Sequence, residues 1–102
     1  MAIQRIVCFK FKELASDLDR RSHMDDLAAL KTLIPQMVSY TAGFGISGDF
    51  GSSPKYDTLH YMTFASMEDV NIYFEHEAHK RFVENHKTSW DDVLVLNANI
   101  AE

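Results

Sequence analysis

Apolar and polar positions alternate from the start of the chain. In residues 2–12, Ile3, Val7, Phe9 and Phe11 fall on one side with Arg5 among them, and Ile6 and Cys8 fall on the other. That is the period-two pattern of a strand with apolar side chains on both faces. The period then changes. Ser16 stands where a helix N-cap would, with Asp19 at the third helical position, and Met24, Leu27, Leu30 and Ile34 make an apolar stripe at helical spacing. Pro35 stops this helix, because proline has no amide hydrogen to continue the ladder. Val38, Tyr40, Ala42, Phe44 and Ile46 alternate again and predict a second strand. The stretch GDFGSSPKYD reads as a loop from its Gly, Ser and Pro. Residues 57–65 predict a third strand, with Thr58, His60, Met62 and Phe64 on one face and Leu59 and Tyr61 on the other. Ser66 caps a second helix, with Asp69 three residues on. Val70, Tyr73 and Phe74 line one side of it, and the helical pattern resumes with Ala78, Phe82, Val83 and His86. Residues 92–100 predict a fourth strand, with Val93 and Val95 on one face and Leu94, Leu96 and Ala98 on the other.

The order β-α-β-β-α-β is the split βαβ arrangement of ferredoxin-like α+β folds, in which two helices cover one face of a four-stranded antiparallel sheet. A sheet face left in water is normally polar. Here Ile6, Cys8, Leu59, Tyr61, Leu94 and Leu96 would all lie on the uncovered face. Six such side chains make a patch of roughly several hundred Å², more than soluble monomers usually expose. A second copy of the chain, related by a two-fold axis, is the expected cover.

The length of 102 residues suits one domain spanning 1–102. Hydrophobic residues at 46% and charged residues at 25% are those of a globular protein. The formal net charge of −5 argues against a nucleic-acid partner, which requires a basic surface. Arg5 and Lys10 interrupt the apolar run of MAIQRIVCFKFK, so no signal peptide is expected there, and no apolar stretch approaches the length of a membrane helix. The lone Cys8 fits a reducing compartment, so the expected location is the cytoplasm, with no membrane partner.

Parity gathers polar side chains on the helix-facing side of the sheet. Arg5 shares the face of Val7 and Phe9, and His60 shares that of Met62 and Phe64. Tyr73 and His79 come from the helical segment after the third strand. Together with Met24 and Leu27 of the first helix, these residues predict a largely apolar pocket with a few convergent polar groups, the general form of a small-molecule site. Its expected ligand contacts are Arg5, His60, Val7, Phe9, Met24, Leu27 and Met62. His79 is the candidate acid–base group, since imidazole titrates near neutral pH. An arginine on an apolar face either snorkels past the strand end or, if buried, requires an anion. With two histidines in the same pocket, it points to an acidic or carbonyl-bearing ligand. His23 reads as helix surface. His76 and His79 stand three residues apart, but no further ligand joins them, and Cys8 lies on the opposite strand face. Neither a metal nor a haem or other cofactor is expected. No phosphate-binding glycine loop, nucleophile triad or cysteine pair is present.

The segments RIVCFKFK, TLIPQM, YDTLHYMTFASMEDVNIYFEHEAHKRFV and VLVLN, in this order, resemble the stress-responsive A/B barrel domain family, a branch of the dimeric α+β barrel proteins. The most specific part is a strand ending in TF, a Ser-capped helix, and then Y-x-x-H-x-x-H. The resemblance implies a homodimer whose two sheets close into one barrel. It fixes no activity: many members have no known reaction. A plant polyketide cyclase of the family closes its substrate by aldol condensation, and its catalytic histidine and tyrosine match His79 and Tyr73. Position 5, where many members carry a histidine, holds Arg5. Two readings therefore stand together. One is a binding or stress-protective module. The other is a small cofactor-free enzyme, cyclase-like or mono-oxygenase-like, with His79 as acid or base and Tyr73 assisting.

Overall fold

A computed structural model describes residues 1–48 and 55–101. The elements are β1 (Ile3–Phe11), α1 (Asp17–Leu33), β2 (Met37–Phe44), β3 (Thr58–Phe64), α2 (Met67–Glu75), α3 (Glu77–His86) and β4 (Trp90–Asn99), with a 3-10 turn at Lys87–Ser89. The strands make one antiparallel sheet in the order β2-β3-β1-β4. This is the ferredoxin-like α+β architecture expected from the order of elements.

Local chemistry sets the boundaries. Ser16 and Asp19 form a reciprocal capping box at the start of α1, each side chain accepting from the other's backbone N–H. At the other end Ile34 is extended (φ −120°, ψ 101°), because the ring of Pro35 disfavours a helical residue before it. The Asp57 carboxylate accepts from the Phe11 N–H at 2.8 Å, and the Asp57 N–H donates to the Phe9 carbonyl at 2.8 Å, which fixes β3 against β1. Larger parts of the GDFGSSPKYD stretch lie outside the described residues.

The core forms between the sheet and the helices. Ile3, Val7 and Phe9 of β1 and Met62 and Phe64 of β3 pack with Leu27, Leu30 and Ile34, and with Val70, Tyr73, Ala78 and Phe82. Pairing confirms the strand parity: Arg5 stands opposite Met62 and Asn97, and Val7 opposite His60 and Val95. On the far face, Ile6 stands opposite Tyr61 and Leu96, and Cys8 opposite Leu59 and Leu94. On that uncovered face Tyr61 is 38% and Leu96 52% exposed, while Ile6, Leu59 and Leu94 are half-buried and Cys8 is buried.

Several expectations are corrected. The register of β2 slips between Met37 and Ser39, an irregularity that leaves Val38 61% exposed and sends Met37 into the core. Val38 therefore does not share the buried face of Tyr40. The second strand stops at Phe44, and Ile46 is exposed. The fourth strand starts at Trp90, two residues earlier than its alternation shows. His23 is fully buried rather than on the helix surface. The core stripe of α1 is His23, Leu27, Leu30 and Ile34, spaced by four, three and four; Met24 sits beside it and is only half-buried.

Candidate functional site

The segment after β3 is two helices, not one. His76 ends α2 and begins α3 with extended backbone (φ −64°, ψ 140°), and its Nδ1 accepts from the Ala78 N–H at 3.0 Å. The first histidine of Y-x-x-H-x-x-H is thus a hinge and a cap. The break turns the chain so that the second, His79, lies over Tyr73, with ring centres 4.6 Å apart.

Beneath this turn is a cavity of about 470 Å³ between helices and sheet, lined mostly by apolar side chains. Arg5, Val7, Phe9, Leu27, Met62, Tyr73 and His79 all line it. Two expected contacts do not. His60 is fully buried edge-on to Phe9, and both its nitrogens are engaged: Nδ1 with the Tyr40 hydroxyl at 2.7 Å and Nε2 with Thr58 Oγ1 at 3.0 Å. Met24 lines a separate groove with Phe11, Arg20 and Phe44. It lies one position off the stripe of α1 that faces the sheet.

The cavity also takes Phe82, Val83, Trp90, Val93 and Val95, which the sequence reading had not assigned to it. Val93 and Val95 were legible by parity. Trp90 was not, because the aspartates Asp91 and Asp92 mask the start of β4.

The polar groups differ in state. His79 Nδ1 donates to the Phe74 carbonyl at 3.1 Å. A carbonyl only accepts, so Nδ1 carries the hydrogen and a neutral ring keeps its lone pair on Nε2. Burial holds the His79 pKa below the usual imidazole value; the Phe74 carbonyl opposes this, Arg5 adds to it and Glu75 opposes it. Burial pushes the Tyr73 phenol up to about 12, partly countered by Arg5, so it is a neutral hydrogen-bond donor. Arg5 Nη1 donates to Asn97 Oδ1 at 3.0 Å, while Arg5 Nε is buried without a partner.

A second polar cluster lies behind the wall. His23 packs edge-on to Phe9 (4.4 Å between ring centres), Phe11 (4.9 Å) and His86 (5.3 Å), and both its nitrogens lack hydrogen-bond partners. His86 Nε2 lies 2.7 Å from the Asp26 carboxylate. Among the described residues, no three of His, Cys, Asp and Glu group as metal ligands. No helix among them is long and apolar enough to cross a membrane.

Fold and cavity together define a ferredoxin-like α+β protein with an open, largely apolar space between its helices and its sheet. The chain belongs to the stress-responsive A/B barrel domain family, whose model matches residues 3–100. It is 23% identical over 97 residues to olivetolic acid cyclase of Cannabis sativa, covering 95% of each chain. The crystal structure of At3g17210 from Arabidopsis thaliana superposes with a TM-score of 0.87 at 26% identity, covering 98% of this chain and 96% of that one. A dimeric ferredoxin-like protein of unknown function from Thermobifida fusca superposes with a TM-score of 0.81 at 16% identity, covering 98% and 92%.

Proposed function

We propose that this protein is a homodimer that binds a small carbonyl-bearing or acidic molecule in the cavity beneath His79. The observation that carries this reading is the convergence of Arg5, Tyr73 and His79 on one largely apolar space of about 470 Å³, within the size range of small-molecule sites. The apolar residues on the uncovered sheet face support self-association, as does the dimeric state of the similar Thermobifida fusca protein. The buried, lone Cys8 supports a reducing, cytoplasmic location, and the net charge of −5 speaks against nucleic acid. A sheet that takes strands from both ends of the chain supports one domain over 1–102.

A second reading, a cofactor-free enzyme, is favoured by the tautomer of His79. A neutral imidazole with its lone pair on Nε2 is a base near neutral pH. It would take a proton from the carbon next to a ligand carbonyl, moving the electron pair onto the carbonyl oxygen. The Tyr73 hydroxyl would donate to that oxygen as charge develops. The same resemblance that supports this chemistry, to a cyclase at 23% identity, departs from it at Arg5.

A small-molecule binding screen on wild type and His79→Ala tests both readings. Ligands that bind wild type and lose affinity, or escape turnover, in His79→Ala support acid–base work at His79. Equal affinity without turnover in either protein favours binding alone. The absence of any ligand overturns the pocket.

A further inference from the structure

We infer that the cavity is selective for a small monocarboxylate with an apolar body, its carboxylate paired with the Arg5 guanidinium. The inference rests on the cavity reading above and names the class of ligand it takes.

Three charged side chains line the cavity: Arg5, Lys80 and Glu84. Two are already paired. Lys80 Nζ lies 3.4 Å from Glu75, and Glu84 lies 3.0 Å from Lys87 Nζ. Arg5 has no carboxylate within ion-pair distance among the described residues. Its one hydrogen bond among the described residues goes to the neutral Asn97 amide.

The position of Arg5 sharpens the case. It stands on β1, a central strand, between Met62 and Asn97, and is half-buried there. Its Nε atom is buried and unpartnered. A buried donor on a cation is costly to leave unmet. Asn97 accepts from Nη1, and Nη2 has no partner among the described residues. A guanidinium N–H left unpaired gains a charge-assisted hydrogen bond from a carboxylate. A single guanidinium with a neutral amide suits one negative charge. A phosphate ester, with nearly two charges and three oxygens, would call for more donors than this wall offers.

The rest of the cavity sets the body of the ligand. Phe9, Phe82, Trp90, Val93 and Val95 form its apolar walls, so the remainder of the molecule gains by being hydrocarbon.

Isothermal titration calorimetry at pH 7.5 with 4-phenylbutanoate and its neutral isostere 4-phenylbutanamide decides the matter. Wild type should bind the carboxylate at least about tenfold more tightly, the size of one charge-assisted pair. Arg5→Gln should abolish that preference, with a circular dichroism spectrum like that of wild type reporting that the variant is folded. Lys80→Met should leave the preference intact, and Arg5→Lys should retain part of it. The inference falls if the amide binds as well as the carboxylate, or if the preference survives Arg5→Gln or vanishes in Lys80→Met. In those cases the cavity still binds, so the cavity reading stands. If neither probe binds folded wild type, both fall.

Discussion

The rings of Tyr73 and His79 stand 4.6 Å apart and tilted by 53°, brought together across the helix break at His76. The spacing of six residues along one continuous helix would instead leave them about 120° apart around its axis. The break therefore makes the pair. It also frees the Phe74 carbonyl at the end of α2 to hold His79 Nδ1.

This geometry fixes a tautomer that can be measured. In nitrogen-15 NMR, His79 should be neutral at pH 7 with the hydrogen on Nδ1, and its titration midpoint should lie below that of a free histidine. Burial is the larger cause and Arg5 adds to it, so Arg5→Gln should raise the midpoint. A hydrogen on Nε2 would remove His79 as a base.

Acid should destabilise the fold through the buried histidines. In the unfolded chain, imidazoles take up a proton near pH 6.5. Burial lowers His60 to about 4, and burial with the neighbouring His60 and His86 lowers His23 to about 3. Between these values and 6.5 the unfolded state binds more protons, so stability rises with pH there. It is full above about pH 6.5 and falls on acidification, by at most about 1.4 kcal/mol per pH unit for each histidine. Melting temperatures from pH 8 to 4.5 should show that slope; a flat profile would contradict the buried neutral state.

His23→Leu should stabilise the protein. The imidazole is fully buried with neither nitrogen hydrogen-bonded, so an apolar side chain of similar volume removes an unmet polar group. The gain should be about 1 kcal/mol at pH 7 in urea denaturation, with a shallower acid slope. A loss would mean that the edge-on contacts with Phe9 and Phe11 outweigh the missing hydrogen bonds.

Tyr40→Phe should do the reverse. It strands His60 Nδ1, whose only partner among the described residues is the Tyr40 hydroxyl at 2.7 Å, inside the core. The expected cost is about 1–2 kcal/mol. An unchanged denaturation midpoint would show that water replaces the hydroxyl.

Leu94→Asp should separate the dimer. Leu94 lies opposite Cys8 on the uncovered sheet face, where a carboxylate finds no partner among the apolar side chains. Sedimentation velocity at micromolar concentration should show wild type as a dimer and the variant as a monomer or unfolded. A monomeric wild type would refute the association itself.

Much of the fold was legible because a strand repeats every two residues and a helix every three or four. Arg5, Val7, Phe9, Met62 and the two faces of β4 could be assigned from parity alone. Ser16, Ser66 and Pro35 marked helix ends by chemistry local to a few residues. The slip at Val38 was not legible, since an alternating pattern carries no sign of which residue a neighbouring strand will skip. Nor was Trp90, hidden behind two aspartates at the start of β4.

The sequence by itself determined which residues face the helices, the order of elements, and the presence of Arg5, Tyr73 and His79 near one side of the sheet. The tertiary structure decided which of them meet. His60 shares the face of Met62, yet Tyr40 and Thr58 claim both its nitrogens and hold it behind the cavity wall. His23 looks like any polar helix residue, yet it lies at the position of α1 that the sheet covers. Periodicity reports the direction of a side chain from its own backbone. Depth, partners and protonation depend on what other segments bring to the same place, and that is set only when the strands pair and the helices pack.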